Sequence, residues 1–393
     1  MIRKSLIEFI FEAASIERWN DHIRPSRGFT ELDKQSHKML YAFVLGKLCP
    51  DTDWLLLIEG GIFEFLHRLL LTDIKPPIFH KLMEEKGEEI NRWAIASLSA
   101  EIGSIPHGFA ERFRRYFSED GYAATEKEIL EAAHYLATKW EFDIIYDMCH
   151  TYYGIEETKR DIDGKLRTFE HLPYLQAYMT DNNLHAFTNL IGELRFQQRW
   201  SRSPRIPATS VMGHMLTVAM LSYFCSCELG ACAQRAVNNF LGGLFHDIPE
   251  VMTRDIVSPV KNSVAGLDAL IKEIENEQME RRLYPLIPES WGRQIAYFTD
   301  DEFSSKIIWQ DAVQKVSSDQ INQSYNEDRF QAVDGEIIRG CDHLSAYVET
   351  YISHTSGVTS HTLTEGNKNL YEKYKNAVIG GLDFGILFDY FRI

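Results

Sequence analysis

The stretch Phe245-His246-Asp247-Ile248-Pro249-Glu250, inside Asn239 to Lys261, decides how this chain is read. An adjacent His and Asp interrupt an apolar run with helical spacing: Phe240, Leu241, Leu244 and Phe245 precede them, and Ile248, Val251 and Met252 follow. Burying a carboxylate in such a run is costly unless something positive meets it, and a divalent metal is the strongest partner on offer. Imidazole nitrogen with carboxylate oxygen suits a borderline or harder transition metal, so the pair reads as half of a metal site. Alone, the pair is as readily a helix cap or a surface feature, and the other half must come from elsewhere in the chain.

Working outward, helical periodicity dominates. Leu6 to Ala14, His37 to Leu48 and Trp54 to Leu71 read as helices. Pro76-Pro77 breaks the pattern, which resumes over Trp93 to Ile102 and Glu126 to Tyr146. The charged middle, Thr151 to His171, holds the turn-like Asp161-Ile162-Asp163-Gly164. Short runs at Leu175–Tyr178 and Leu184–Leu194 lead to an Arg/Ser/Pro loop, Ser201 to Pro207; helices follow at Ser210–Cys227, Gln234–Phe245, Val264–Arg282 and Gly335–Ile352. Strand-like alternation is rare, so the expected class is all-α.

Length and charge narrow the function. The 393 residues suffice for two or three domains with full cores. A formal net charge of −16 argues against a nucleic-acid polymer as partner, because such binding needs a basic face. A small phosphorylated ligand stays open, since a metal and a few Arg or Lys make a local positive site. Six Cys without a CxxC pair point to reduced thiols. The N-terminus lacks a signal-peptide pattern and no apolar run is long enough to span a membrane, so a cytoplasmic protein is expected.

An internal repeat organises the rest. Gly60-Gly61-Ile62-Phe63 matches Gly242-Gly243-Leu244-Phe245, Asp73-Ile74 matches Asp255-Ile256, and Pro77 matches Pro259, each pair 182 apart (242 − 60, 255 − 73, 259 − 77). Upstream, Arg18-Trp19 pairs with Arg199-Trp200, and Ser36-His37-Lys38-Met39-Leu40 with Gly213-His214-Met215-Leu216; downstream, the segment through His134 pairs with that through Asp342. The expectation is two copies of one helical unit, residues 1–170 and 171–393. His214, His246, Asp247, Glu250 and Asp342 of the second copy meet His37, Glu64, Phe65, Arg68 and His134 in the first. Phe65 and Arg68 disable the first copy and leave His37, Glu64 and His134 as a reduced donor set.

Four residues of the second copy suit one ion: His214 near the start of an amphipathic run, the His246-Asp247 pair, and Asp342 flanked by apolar residues at helical spacing. Three helices can aim such ligands at one point in a bundle core. The same arrangement leaves coordination positions for water and a phosphate oxygen.

His…His-Asp…Asp in an all-helical setting resembles the HD-domain metal-dependent phosphohydrolase superfamily. The string from His246 to Asp255, Pro259-Val260-Lys261, Arg199-Trp200 and Asp342-His343-Leu344-Ser345-Ala346-Tyr347 resemble, within it, the 5′-deoxynucleotidase branch, over about residues 195–352. The resemblance implies two tandem HD-type helical bundles, the first degenerate, and His214, His246, Asp247 and Asp342 as ligands of one divalent transition metal (Mn, Co, Fe, Ni or Zn). It implies Glu250 as the group that orients or deprotonates the attacking water, one helical turn from His246. Asp255 would deliver a proton to the leaving 5′-oxygen or hold the sugar. Arg199 and Lys261 would neutralise phosphate, and Trp200 would shape the pocket. The implied reaction is attack of metal-bound hydroxide on a (deoxy)nucleoside 5′-monophosphate, in a possible homodimer.

Departures from the branch put the substrate, not the reaction class, in question. Gly213 stands where a Glu commonly precedes the first His, and the segment from Lys261 to Asp342 is long. Arg202 and Arg205 add charge near the expected mouth, which would suit more than one phosphate. Hydrolysis of a nucleoside triphosphate or alarmone, and non-catalytic nucleotide sensing, are therefore the competing functions. Asp311 in Trp309-Gln310-Asp311 is the rival fourth ligand, and His343 reads as a helix-surface residue.

Overall fold

The computed structural model describes residues 1–19, 21–71, 74–254 and 264–393. Two 18-residue helices lie at its centre, Glu31–Leu48 (the His37 helix) and Val211–Glu228 (the His214 helix). Each is started by a hydroxyl cap: Thr30 accepts from the Asp33 amide, and Ser210 from that of Gly213. Residues 31–46 of one and 211–227 of the other are buried on every side. Helices apolar or self-satisfied all round belong inside a bundle, and the others wrap them.

The class is all-α. Trp54–Leu71 and Ala124–Cys149 pack beside the His37 helix, whereas Ala233–Phe245 and Gly335–Thr355 (the Asp342 helix) flank the His214 helix. One hydrophobic core runs through both halves, and Phe43 meets Phe245 edge-on at 4.8 Å between ring centroids. Gly243 lets two backbones approach closely: a Cβ there would lie 2.7 Å from Ala219 Cα. That contact draws the Ala233–Phe245 helix, and with it His246, onto the His214 helix.

Several expectations change. The turn expected at Asp161–Gly164 is helix, Ile155–Thr168, because Ile155, Ile162 and Leu166 share a buried face and Gly154 supplies the left-handed residue before it. Pro76 opens a helix instead of breaking one, since proline suits the first helical turn. Helices at Phe109–Ser118, Glu289–Thr299 and His361–Tyr374 were not anticipated. Nor was the hairpin Lys306–Trp309/Ala312–Lys315. Its turn is Gln310-Asp311, both at positive φ, which places Asp311 exposed at a hairpin tip and removes it as a ligand. No described helix is long and apolar enough to cross a membrane.

Local geometry recurs in the two halves. Bridges join Glu17 to Thr30 and Gln198 to Ser210, just before the two central helices. Trp19 and Trp200 both take positive φ, 56° and 55°. Each indole donates 2.8 Å to a buried carboxylate, Glu141 or Glu349.

Two glycines give opposite predictions. Gly164 is exposed in the new helix and a Cβ there touches nothing within 4 Å. Gly164→Ala should therefore raise stability by about 0.5–1 kcal/mol. Gly243→Ala forces backbone apart and should lower it by about 1–3 kcal/mol. Thermal unfolding of the two variants reads both signs.

Candidate metal centre

The His214 helix places His214 one turn after its cap, where the side chain enters the bundle, 1% exposed. Its Nδ1 meets Ser345 Oγ at 3.1 Å, which leaves Nε2 to face Asp342 Oδ1 at 3.0 Å and Asp247 Oδ2 at 3.8 Å. His246 caps the end of Ala233–Phe245, and its Nδ1 lies 2.8 Å from the Gly243 carbonyl. A carbonyl only accepts, so Nδ1 carries the hydrogen and Nε2 is fixed as the inward donor of a lone pair. That Nε2 is buried without a hydrogen-bond partner, 3.2 Å from Asp247 Oδ2. The donor atoms of His214, His246 and Asp342 all lie within 4.8 Å of one another. Two Nε2 atoms held from behind and converging carboxylates fit a divalent transition metal.

Burial governs how these groups titrate. It pushes His214 below its ordinary value, helped by the Arg199 charge. Burial also opposes ionisation of Asp342 and Asp247, but contacts with His214 and His246 outweigh it and hold both carboxyls down. For His246 burial works downward and is overcome by the Asp247 and Asp342 charges, which raise it to about 9.

Arg199 and Trp200 sit at the same place. Arg199 Nη1 is 3.5 Å from Asp247 Oδ2, and Nη2 is 4.0 Å from Asp342 Oδ1. Glu250 is buried and opens the short helix Glu250–Thr253; the segment between it and His246 is a series of turns, because the longer helix ends at Phe245. Asp255 and Lys261 lie outside the described residues. His343 bonds the Tyr374 hydroxyl at 2.7 Å, away from the donor cluster.

Gly213 has a physical reason. A Cβ at 213 would meet Asp33 Oδ1 and Leu32 Cδ2 at 3.1 Å, so the first half occupies that space. Asp33 itself accepts from the Ser210 hydroxyl. The side chains that sequence reasoning missed are those behind the donors: Ser345, Asp33 and above all Glu349. The last was within reach, since Glu349 follows Asp342 by seven residues as Glu141 follows His134.

The reduced donor set left open for the first half does not assemble. Counting from the caps, Lys34 follows Thr30 by four residues as His214 follows Ser210. The pairing of His37 with His214 was thus three residues out of register. His37 stacks on Tyr41 at 4.7 Å and contacts the Thr188 carbonyl at 3.3 Å. Lys34 contacts His134, and Lys38 pairs with Glu64. An internal lysine therefore faces His134 where His214 faces Asp342.

Residues 191–371 match the family model of the HD domain. The chain is 27% identical over 124 residues to a 5′-deoxynucleotidase of Pasteurella multocida, covering 30% of this chain. It is 25% identical over 128 residues to one of Pectobacterium atrosepticum, covering 32%. The chain spans 63% of the length of each of these relatives. No solved structure matches it significantly.

The chain is expected to bind one divalent ion, measured by metal analysis after dialysis. His246→Ala should lose it and His134→Ala should keep it. Metal must displace the His246 proton below about pH 9, whereas His214 is already neutral and both carboxyls ionised at pH 7. Affinity should therefore rise about tenfold per pH unit from 7 toward 9 and then level, with about one proton released per ion. Titration calorimetry in buffers of different ionisation enthalpy reads both.

Proposed function

We propose, with the HD domain of residues 191–371 as premise, that this chain is a metal-dependent phosphohydrolase acting on a (deoxy)nucleoside 5′-monophosphate or a similarly small phosphoester. One observation carries the reading: a guanidinium, Arg199, faces the same two carboxylates, Asp247 and Asp342, that converge with His214 and His246. A phosphate drawn to that place meets a cation on one side and the donor cluster on the other. The relatives' names, both 5′-deoxynucleotidases, agree with a nucleotide substrate.

A divalent ion bound there would supply Lewis acidity and an acidified water. His214, His246, Asp247 and Asp342 would hold it. Arg199 would bind the phosphate oxygens and balance charge that builds on them. Glu250 would take the proton of the attacking water. Asp255 would return a proton to the leaving 5′-oxygen, and Lys261 would add a second phosphate contact. Water attacks phosphorus, the bond to the 5′-oxygen breaks, and inorganic phosphate and the nucleoside leave, with no covalent enzyme intermediate.

The triphosphate or alarmone reading drew on Arg202 and Arg205. Arg205 is 6% exposed and bonded to Thr209 and Glu349, so it is committed inside the fold. That leaves Arg202 exposed in the loop and favours a single phosphate. The sensing reading is disfavoured by the complete donor set. The first half is read as a degenerate relative of the second that supports it.

Phosphate release from a nucleotide panel by metal-stripped protein resupplied with Mn²⁺, Co²⁺, Mg²⁺ or Zn²⁺ tests this. Release from deoxynucleoside monophosphates is expected. Asp342→Ala should lose turnover together with metal. Glu250→Gln should keep metal and lose about 10²–10⁴-fold in kcat. Release from triphosphates alone, or from nothing while metal is bound, would move the protein to one of the two competing functions.

A further inference from the structure

Seven residues beyond Asp342, two turns along the same face of its helix, Glu349 is 1% exposed and gathers four groups. Trp200 Nε1 donates to Oε2 at 2.8 Å, and Arg199 Nε lies 3.7 Å from the same oxygen. On Oε1, Arg205 Nη2 stands at 3.3 Å and the Thr209 hydroxyl donates. Trp200 takes a left-handed backbone conformation that a bulky residue adopts only when its surroundings impose it. Its indole packs over Gly366, where a Cβ would come within 3.1 Å of the ring. The Glu349 bond fixes the indole, while the Ser203 amide donates to the Trp200 carbonyl at 2.8 Å.

The guanidinium of Arg199 lies among three carboxylates: Glu349 on its Nε side, Asp247 and Asp342 on its Nη side. All three bear on its orientation. The first half shows the same arrangement with a glutamate of its own central helix on the Nη edge. There Glu141 binds Trp19 at 2.8 Å and Arg18 Nε at 2.9 Å, and Arg18 Nη1 carries the Glu31 carboxylate at 3.1 Å. Glu31 occupies the helix position that Val211 has in the second half, one residue after the cap in each. The second half keeps the Trp-Arg-Glu arrangement, with Val211 at the helix position of Glu31.

We propose that Glu349 is a positioning residue, which holds Arg199 and Trp200 so that the Nη edge receives a phosphate of the substrate and the indole borders its organic part. The inference rests on the phosphohydrolase reading above. Its carboxyl is held down to about 2: burial works against ionisation, and Arg205 and Arg199 more than offset it. The group is therefore a carboxylate at working pH, and Gln keeps its shape while removing its charge.

The test compares Glu349→Gln with Glu141→Gln, the matched change in the half without the donor cluster. Steady-state kinetics on a deoxynucleoside monophosphate are combined with Co²⁺ binding. The ¹⁹F resonance of Trp200 in 5-fluorotryptophan protein, assigned through Trp200→Phe, is followed during titration with inorganic phosphate. Glu349→Gln should raise KM and the phosphate Kd by about tenfold or more, as expected when a charged hydrogen-bond partner is lost. Its kcat should fall as well, by less than KM rises, because Arg199 also balances charge that builds on the phosphate, while its Co²⁺ stoichiometry should stay unchanged. Glu141→Gln should leave KM and phosphate binding as they were. Unaltered KM in Glu349→Gln, or an equal rise in Glu141→Gln, would overturn the assignment, the second by showing a general loss of fold. Should the wild type release no phosphate from any nucleotide yet show a Trp200 shift that Glu349→Gln abolishes, the positioning role stands and the reaction reading falls. No shift with phosphate in the wild type overturns the positioning role itself.

Discussion

A carboxylate carried into a helical core stays ionised only where positive charge reaches it, and both halves of this chain are built around that requirement. In the second half Asp342 and Asp247 face two imidazoles and Arg199, and a divalent ion entering there takes the place of the His246 proton. In the first, Glu31, Glu64 and Glu141 are met by Arg18, Arg68, Lys38 and Arg195, with Lys34 against His134. The first half supplies its cations covalently and the second leaves room for one from solution. Burial and neighbouring Arg18 press the Lys34 amine well below its ordinary value.

The donor cluster also depends on the seam between the halves. Asp33 of the His37 helix accepts from the Thr30 hydroxyl at 2.7 Å and from the Ser210 hydroxyl, so one carboxylate ties together the starts of both central helices. Ser36 Oγ donates to the Met212 carbonyl at 2.7 Å, within a turn of His214. Phe43 packs on Phe245, the residue before His246. Two of the helices that bring donors together are thus braced by the same first-half helix. A few tenths of an ångström matter in a site whose donor atoms must share one ion, and this is where the first half contributes rigidity.

How much of this was legible beforehand varied with the kind of evidence each residue leaves. His214, the His246-Asp247 pair and Asp342 could be found because polar residues at apolar helical positions violate a pattern, and a violation is visible in one dimension. The all-α class was legible for the same reason. The helix at Ile155–Thr168 was missed because its charged face hid three apolar residues spaced seven and four apart, and Gly164 looked like a turn. The register of the first half was misread because His37 drew attention, whereas the informative residues were the caps Thr30 and Ser210. Partners behind the donors leave little trace: Ser345 and Glu349 are ordinary helix residues until three-dimensional packing sets them against His214 and Trp200.

Charge around the proposed site bears on the size of the substrate. Asp247, Asp342 and Glu349 contribute three negative charges, and Arg199 and Arg205 two positive ones. With neutral imidazoles and the proposed base Glu250 ionised as well, a bound divalent ion brings the centre to neutrality. A phosphate monoester dianion then adds two negative charges to it. A chain of three phosphates would bring several more negative charges into a protein already at −16. It would meet them without Arg205, whose guanidinium is turned inward to Glu349. Uncompensated charge of that size in a partly buried cleft costs more than added contacts return. The inward commitment of Arg205 to Glu349 therefore bears on substrate size as directly as the placement of Arg199 beside Asp247 and Asp342, and it supports the single-phosphate reading proposed above.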